Sequence, residues 1–254
     1  MQHLFTPDGE ASLAAVLQLK PLMAFDFDGT LAPIVARPEE ARISAAVATR
    51  LKALTTRLPV AIVTGRAVAD VRERLGFEPQ FIIGNHGAEE DTDPASGTLA
   101  SALTGHLEGF RDTLRTHGDL LQAAGVVVED KGLSIALHYR LSLDHTRAQQ
   151  LITDLLTPEP AGLHIFAGKM VVNAVAAAAP DKAQAVQMLV ARLGAAAAFF
   201  AGDDVNDEPV FVSAPAHWLT LRIGREDPAC RARFCLDGPH EMAMFLERVL
   251  SNLS

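Results

Sequence analysis

Apolar runs that break abruptly into polar clusters recur through the first third of the chain and return in its last third. Leu22-Met23-Ala24-Phe25 gives way to Asp26-Phe27-Asp28-Gly29-Thr30, Val60-Ala61-Ile62-Val63 to Thr64-Gly65-Arg66, and Phe81-Ile82-Ile83 to Gly84-Asn85-His86-Gly87. A short apolar run without alternation predicts a strand buried on both faces, as in a parallel sheet covered by helices. Between these runs, 44–58 carries Val47, Leu51 and Leu54 at helical spacing, and 67–75 predicts a helix stopped by Gly76. After Pro180 the same texture returns. A helix is predicted over 181–193 and a strand over 196–201 ending in Gly202-Asp203-Asp204, followed by a strand over 217–223 and a closing helix over 240–250. Strand and helix in alternation predict an α/β fold built on a Rossmann-like, doubly wound parallel sheet.

The middle of the chain reads differently. Residues 91–97 are turn-rich, 103–124 are helical in pattern, and Val126-Val127-Val128-Glu129 with 133–140 forms a hairpin pattern around Lys131-Gly132. A further helix is predicted over 144–156, and 163–167 pairs with 170–175 around Gly168-Lys169. The order suits an α+β module inserted at 102–175 into one α/β core made of 1–101 and 176–254. No internal repeat is visible.

Composition narrows the function without naming it. With 254 residues, 49% apolar and 21% charged, the chain has ordinary globular usage rather than that of a disordered or coiled-coil protein. A formal net charge of -9 excludes wholesale nucleic-acid binding, which needs a basic face against phosphates. A few cations or a metal can still reverse the field locally for a small anionic substrate. The start has no basic leader and no run of 18 strongly apolar residues occurs, so neither a membrane nor secretion is expected and the setting reads as cytoplasmic. Cys230 and Cys235 lack a second cluster that would complete a zinc site and read as ordinary thiols. Nothing in these patterns fixes an oligomeric state.

In open α/β sheets the ligand sits beyond the carboxyl ends of the strands, and here those ends carry the polar clusters. Asp26 and Asp28 meet Asp203, Asp204 and Asp207 there, a crowding of carboxylates that calls for a hard cation, and oxygen ligands suit Mg²⁺. A metal beside an acidic nucleophile points to phosphoryl transfer through an aspartyl-phosphate. Lys182, at the start of a helix, would add a second cation, and Thr64 a hydroxyl and backbone N–H groups for phosphate. Each residue also has a plainer reading: Asp28 and Thr64 as helix caps, Lys182 as a solvated lysine. Arg66 stands evenly between an anion contact and a surface ion pair. Two other patterns fail, since 162–169 has the wrong glycine spacing for a P-loop and 203–208 lacks the glycine of an EF-hand.

Taken in order, Asp26-Phe27-Asp28-Gly29-Thr30-Leu31, Thr64, Lys182 and Gly202-Asp203-Asp204 with Asp207 resemble the motifs of the haloacid dehalogenase superfamily of phosphatases. Within it, trehalose-6-phosphate phosphatases are resembled more closely. That likeness rests on Gly84-Asn85-His86-Gly87-Ala88-Glu89, Glu129-Asp130-Lys131-Gly132, His138-Tyr139-Arg140, Gly168-Lys169 and the run from Gly202 to Glu208. The resemblance covers about 25–208. It implies Asp26 as nucleophile, Asp28 as general acid and then base, and Lys182 and Thr64 as holders of the phosphoryl group. It also implies Mg²⁺ bound by Asp26, Asp203 and the backbone carbonyl of Asp28, with Asp204 and Asp207 divided between the metal's outer shell and the orientation of Lys182. The inserted module would be the cap that recognises the sugar.

On that reading Glu129, Lys131, His138, Arg140 and Lys169 face a small-molecule sugar phosphate, joined by Asn85, His86 and Glu89; otherwise they are an ordinary polar hairpin face and loop polars. Asn173 and Val175 stand where the family carries an acidic and a basic residue, Asn206 replaces its Thr and Ala183 its Gly. The implied activity is Mg²⁺-dependent hydrolysis of trehalose 6-phosphate. The alternatives are a phosphatase of another sugar phosphate, of the sucrose- or mannosylglycerate-phosphate type, and a catalytically silent sugar-phosphate sensor.

Overall fold

A computed structural model describes residues 1–93, 96–225 and 229–253, and the chain divides into two units, Met1–Thr92 with Pro180–Ser254, and Asp93–Ala179. The first unit runs β1 (Gln2–His3), α1 (Pro7–Gln18), β2 (Leu22–Phe25), α2 (Ala45–Leu54), β3 (Val60–Val63), α3 (Val68–Leu75), β4 (Phe81–Gly84) and β5 (Glu89–Glu90). The second holds α4 (Ser96–Thr116), α5 (Gly118–Ala123), β6 (Val127–Asp130), β7 (Ser134–His138), α6 (His145–Leu155), β8 (Leu163–Gly168) and β9 (Val171–Ala176). The first unit then resumes with α7 (Lys182–Leu193), β10 (Ala198–Gly202), α8 (Glu208–Ser213), β11 (Leu219–Ile223), β12 (Phe234–Leu236) and α9 (Met242–Asn252).

Every residue of β2, β3 and β10 is buried, as continuous apolar strands covered on both faces require. The sheet order is β1-β12-β11-β10-β2-β3-β4-β5, parallel throughout except for β5, which runs antiparallel to β4. From β2 the chain builds outward through β3 and β4, and on its return it builds the other way through β10, β11 and β12. The switch in direction falls between β2 and β10, where a doubly wound sheet opens its ligand crevice. Register fixes what meets there: Phe25 pairs with Ala201, and the Asp26 N–H donates to Ala201 O at 2.9 Å, so Asp26 and Asp203 leave the same edge side by side.

Five elements of the first unit escape the hydrophobic-run reading, the helices α1 and α8 and the short strands β1, β5 and β12. Helix α1 carries its own start signals, with Thr6 accepting from the Gly9 N–H, Pro7 in the first turn and Asp8 and Glu10 behind it. Its buried Leu13, Val16 and Leu17 have helical spacing, so the sequence did hold the signal. Strands β1 and β12 are two and three residues long, too short to leave a pattern, and their order comes from pairing with each other and with β11.

The second unit is a four-stranded antiparallel sheet, β6-β7-β9-β8, packed by α4 and α6. Leu107 and Phe110 of α4, Ile135 and Leu137 of β7 and Ala148 and Ile152 of α6 build its separate apolar core. The sequence reading began this module at 102 and ended it at 175; the unit is wider. Helix α4 already starts at Ser96, and Ala177 and Ala179 fold back on the unit through N–H bonds to Gly162 O and Ala176 O.

Candidate active site

Asp26 follows β2, is 5% exposed, and receives Lys182 Nζ on Oδ1 at 2.7 Å. The same ammonium donates to Asp207 Oδ1 at 2.7 Å, while Asp207 Oδ2 accepts the backbone N–H of Asp203 at 2.8 Å and of Asp204 at 3.0 Å. Lys182 and Asp207 are fully buried. Burial works against the lysine's charge, but Asp207 and Asp26 outweigh it and hold the ammonium above the usual lysine range. Burial pushes the Asp26 carboxyl well up, Lys182 pulls it down, and Asp207 and Asp203 push it up again.

Oxygens of Asp26, Asp203 and Asp207 lie within 4.8 Å of one another, all three residues buried, with one ammonium among them. Three carboxylates against one cation leave an excess of negative charge that a divalent cation fits, and an all-oxygen donor set suits a hard one. Both oxygens of Asp207 are already engaged, so Asp26 and Asp203 are the side chains with capacity for it. The Asp203 carboxylate leans directly on Gly29, where a Cβ would lie 2.0 Å from Oδ2, which sets it against the Asp28-Gly29 peptide.

Asp28 points its carboxylate elsewhere. Arg66 grips it as a fork, Nε to Oδ2 at 2.7 Å and Nη2 to Oδ1 at 2.8 Å, and also donates to Asp70 Oδ2 at 2.8 Å and Pro38 O at 2.9 Å. The guanidinium lies 5.2 Å over the Phe27 ring and is 7% exposed, so Arg66 is a buried clamp on Asp28 and neither a surface pair nor an open anion contact. Burial lowers its pKa, yet Asp28 and Asp70 raise it further, and the charge is permanent. Thr64, 1% exposed, accepts the Arg66 N–H on Oγ1 at 3.2 Å, which leaves the hydroxyl proton to be donated elsewhere. The reading of residues missed Asp70. Its signal was the i,i+4 spacing to both Arg66 and Arg74, each of which it pairs.

Asn85 and Glu89 belong to the framework. Ala67 precedes α3 without a side-chain oxygen to cap it, and Glu89 Oε2 supplies one, accepting the Val68 N–H at 2.9 Å and Asn85 Nδ2 at 2.8 Å. Asn85 is 1% exposed, and its backbone N–H donates to Arg66 O at 2.8 Å. His86 is buried in the same loop.

In the second unit, Glu129 of β6 accepts His138 Nε2 at 2.8 Å and lies 3.7 Å from Lys131 Nζ, so these three form one polar cluster on the hairpin. Arg140 lies beyond β7 and donates through Nη2 to Lys169 O at 2.9 Å, tying the end of β7 to the β8–β9 turn, at the end of the sheet opposite the Lys131-Gly132 turn. Asn173 is buried in β9 between Ala136 and Phe166, and Val175 opposite Ser134 and His164. Among the described residues both cysteines are free thiols, and no helix is long and apolar enough to cross a membrane.

The trehalose-phosphatase family model matches residues 24–226. An uncharacterized glycosyl hydrolase of Mycobacterium tuberculosis is 31% identical over 92% of this chain, which spans 18% of that protein. The trehalose-phosphate phosphatase of Mycobacterium ulcerans is 29% identical over 100% of this chain and 66% of its own length. The chain thus spans less than two thirds of these relatives. The C-terminal domain of the Candida albicans trehalose-6-phosphate phosphatase shares the fold at a TM-score of 0.78 and 20% identity, covering 96% of this chain and 95% of that one. A doubly wound core with carboxylates at its strand ends, and a family match across both units, place the chain in the trehalose-phosphatase family.

Proposed function

We propose that the chain hydrolyses trehalose 6-phosphate to trehalose and phosphate through an aspartyl-phosphate on Asp26. The observation that carries this is the buried Asp26–Lys182–Asp207 triad at the switch point of the sheet, with the Asp203 carboxylate beside it. Such an arrangement is costly for folding alone, because each of these charges needs the others. It suits a nucleophile that must meet an anion.

Asp26 Oδ attacks phosphorus and the bond from phosphorus to the sugar oxygen breaks, with Asp28 giving that oxygen its proton. Water then attacks the acyl phosphate, Asp28 takes its proton, and phosphate leaves as the Asp26 carboxylate is restored. Lys182 Nζ stays on the phosphoryl oxygens and on Asp26 throughout, held by Asp207. Arg66 occupies both oxygens of Asp28, so Asp28 turns out of the fork to reach the leaving group. Asp26, Asp203 and the Asp28 carbonyl would hold Mg²⁺, which would neutralise the crowded carboxylates and polarise the phosphoryl group. We assign sugar recognition to Glu129, Lys131, His138, Arg140 and Lys169 of the second unit. Free thiols and the lack of a membrane-crossing helix among the described residues support a cytoplasmic setting.

Asn173 and Val175 favour a second reading, a different sugar phosphate, because they remove the acidic and basic side chains the family carries there. A panel of sugar phosphates, assayed for phosphate release with Mg²⁺ and again in excess chelator, tests both. Trehalose 6-phosphate should lead the panel by about tenfold or more in kcat/KM, and chelation should stop turnover. Release led by another sugar phosphate would establish the second reading. No release from any member would make the chain a sensor, and undiminished release in chelator would remove the metal.

A further inference from the structure

Loop 85–87 is the most strained stretch of backbone in the first unit's described residues. Asn85 has φ 48°, His86 φ 61° and Gly87 φ 123°, two non-glycine residues in succession in a left-handed region that side chains avoid. Such backbone persists only where its surroundings fix it, and it clusters where geometry matters for function. The surroundings here are specific. The His86 N–H donates to Thr64 O at 3.0 Å, and the imidazole, 7% exposed, lies so close over Gly65 that a Cβ there would stand 2.3 Å from His86 Cε1. On its other side His86 Nδ1 meets Asn206 Nδ2 at 3.4 Å, in the turn between Asp203 and Asp207. Gly87 presses on the third neighbour: a Cβ on it would lie 2.6 Å from the carbonyl oxygen of Asp181, the residue that caps the Lys182 helix.

We infer that His86 is a positioning residue: its imidazole is a wedge between the Thr64-Gly65 loop and the Asp203–Asn206 turn that sets how far apart the phosphate-holding hydroxyl and the metal-side carboxylate stand. The inference rests on the phosphatase reading of Thr64 and Asp203. Histidine suits the task because its flat ring fills a slot between two loops while Nδ1 accepts from the Asn206 amide. Leucine would fill the slot without the hydrogen bond, and glycine would relax the backbone and leave the slot empty. The strain is then the cost of aiming a ring from a turn too short to present it otherwise.

The full chain is assayed as wild type, Gly65→Ala, His86→Gly and the double variant, on trehalose 6-phosphate and on a small aryl phosphate. His86→Gly removes the backbone strain, so it should melt no lower than a few degrees below wild type, yet lose about tenfold to a hundredfold in kcat on both substrates. Mg²⁺ half-saturation should stay within about twofold, because Asp26 and Asp203 keep their side chains and only the separation of Asp203 from Thr64 changes. Gly65→Ala drives a Cβ into the ring and should lose about a hundredfold or more. In the double variant the new methyl enters the space the ring has left, and at least about tenfold of that loss should return. Orthophosphate affinity, measured by calorimetry with Mg²⁺ present, should follow kcat across the set. A His86→Gly enzyme with wild-type kcat and phosphate affinity overturns the inference, as does a double variant no better than Gly65→Ala. If wild type releases no phosphate from any ester, the functional reading fails instead, and the phosphate affinities of the four proteins still decide the role of His86.

Discussion

Replacing Asp207 with Asn keeps the shape of a fully buried side chain and takes away one acceptor. Oδ1 receives Lys182 Nζ at 2.7 Å, and Oδ2 receives the N–H groups of Asp203 at 2.8 Å and Asp204 at 3.0 Å, so every partner is a donor. An amide has a single acceptor oxygen, and whichever way it turns, its NH₂ faces a donor. Turning the oxygen to the lysine orphans two buried backbone N–H groups at about 1–3 kcal/mol each, whereas turning it to the backbone loses one charge-assisted bond at about 1.5–3 kcal/mol. The second is cheaper, and it leaves Lys182 held by Asp26 alone. At about 1.4 kcal/mol per tenfold, the misplaced ammonium should cost roughly 10- to 150-fold in kcat/KM, most of it in kcat. Initial rates of phosphate release across a Mg²⁺ titration distinguish this from a metal defect, because saturating Mg²⁺ should not restore Asp207→Asn but should restore much of Asp203→Asn. Thermal melting of the same samples separates the loss from unfolding. A variant within about threefold of wild type would show that Asp207 does not orient the lysine.

Asp26→Asn should lose about 10⁴-fold or more in turnover, since an amide forms no acyl phosphate, while calorimetry still detects substrate binding; residual near-normal rates would exclude the covalent route. Glu129→Ala and Lys131→Ala should each cut kcat/KM on trehalose 6-phosphate by about tenfold to a hundredfold, one lost buried polar contact, and change a small aryl phosphate much less. Equal losses on the two substrates would mean that the hairpin cluster supports the fold and reads no sugar. Burial alone would raise the Asp70 carboxyl, but hydrogen bonds from Arg74 and Arg66 pull it below the usual range, so its stabilisation is present above about pH 4 and fades as pH falls through the folded value. Asp70→Asn should therefore melt lower than wild type at pH 7, by the equivalent of about 0.5–1 kcal/mol for this partly exposed group, and the gap should close in strong acid. A gap that stays constant with pH would assign the loss to packing.

Chemistry at strand ends was legible because the strands were. Leu22-Met23-Ala24-Phe25 and the two matching runs are buried on both faces, so nothing in them competes with the apolar signal, and the abrupt change to Asp26 or Thr64 marks where the sheet edge lies. Asp26, Lys182 and Asp203 were named from that position and from the motif order. What stayed hidden depends on how separate loops approach in space. Residues 28 and 66 lie on different strands' ends, and no spacing rule says that Arg66 will fork Asp28 rather than meet an anion. Glu89 read as a substrate contact or else a loop polar, although Ala67 before α3 was the clue that an acceptor had to come from elsewhere. Two- and three-residue strands such as β1 and β12 have no pattern of their own, and pairing alone defines them.

Lys182 occupies the first position of its helix, where the positive end of the helix dipole repels a cation, and it does so without contact with water. Only Asp26 and Asp207 make that tolerable. Loss of the nucleophile by drift would therefore leave the buried ammonium on Asp207 alone, and loss of the lysine would set two buried carboxylates against each other. Descent from this chain to a non-catalytic relative then has to pass through concerted replacement. A lineage that has abandoned hydrolysis should show an apolar or small residue at 182 together with neutral residues at both 26 and 207, and chains that have lost the lysine alone while keeping both carboxylates should be rare.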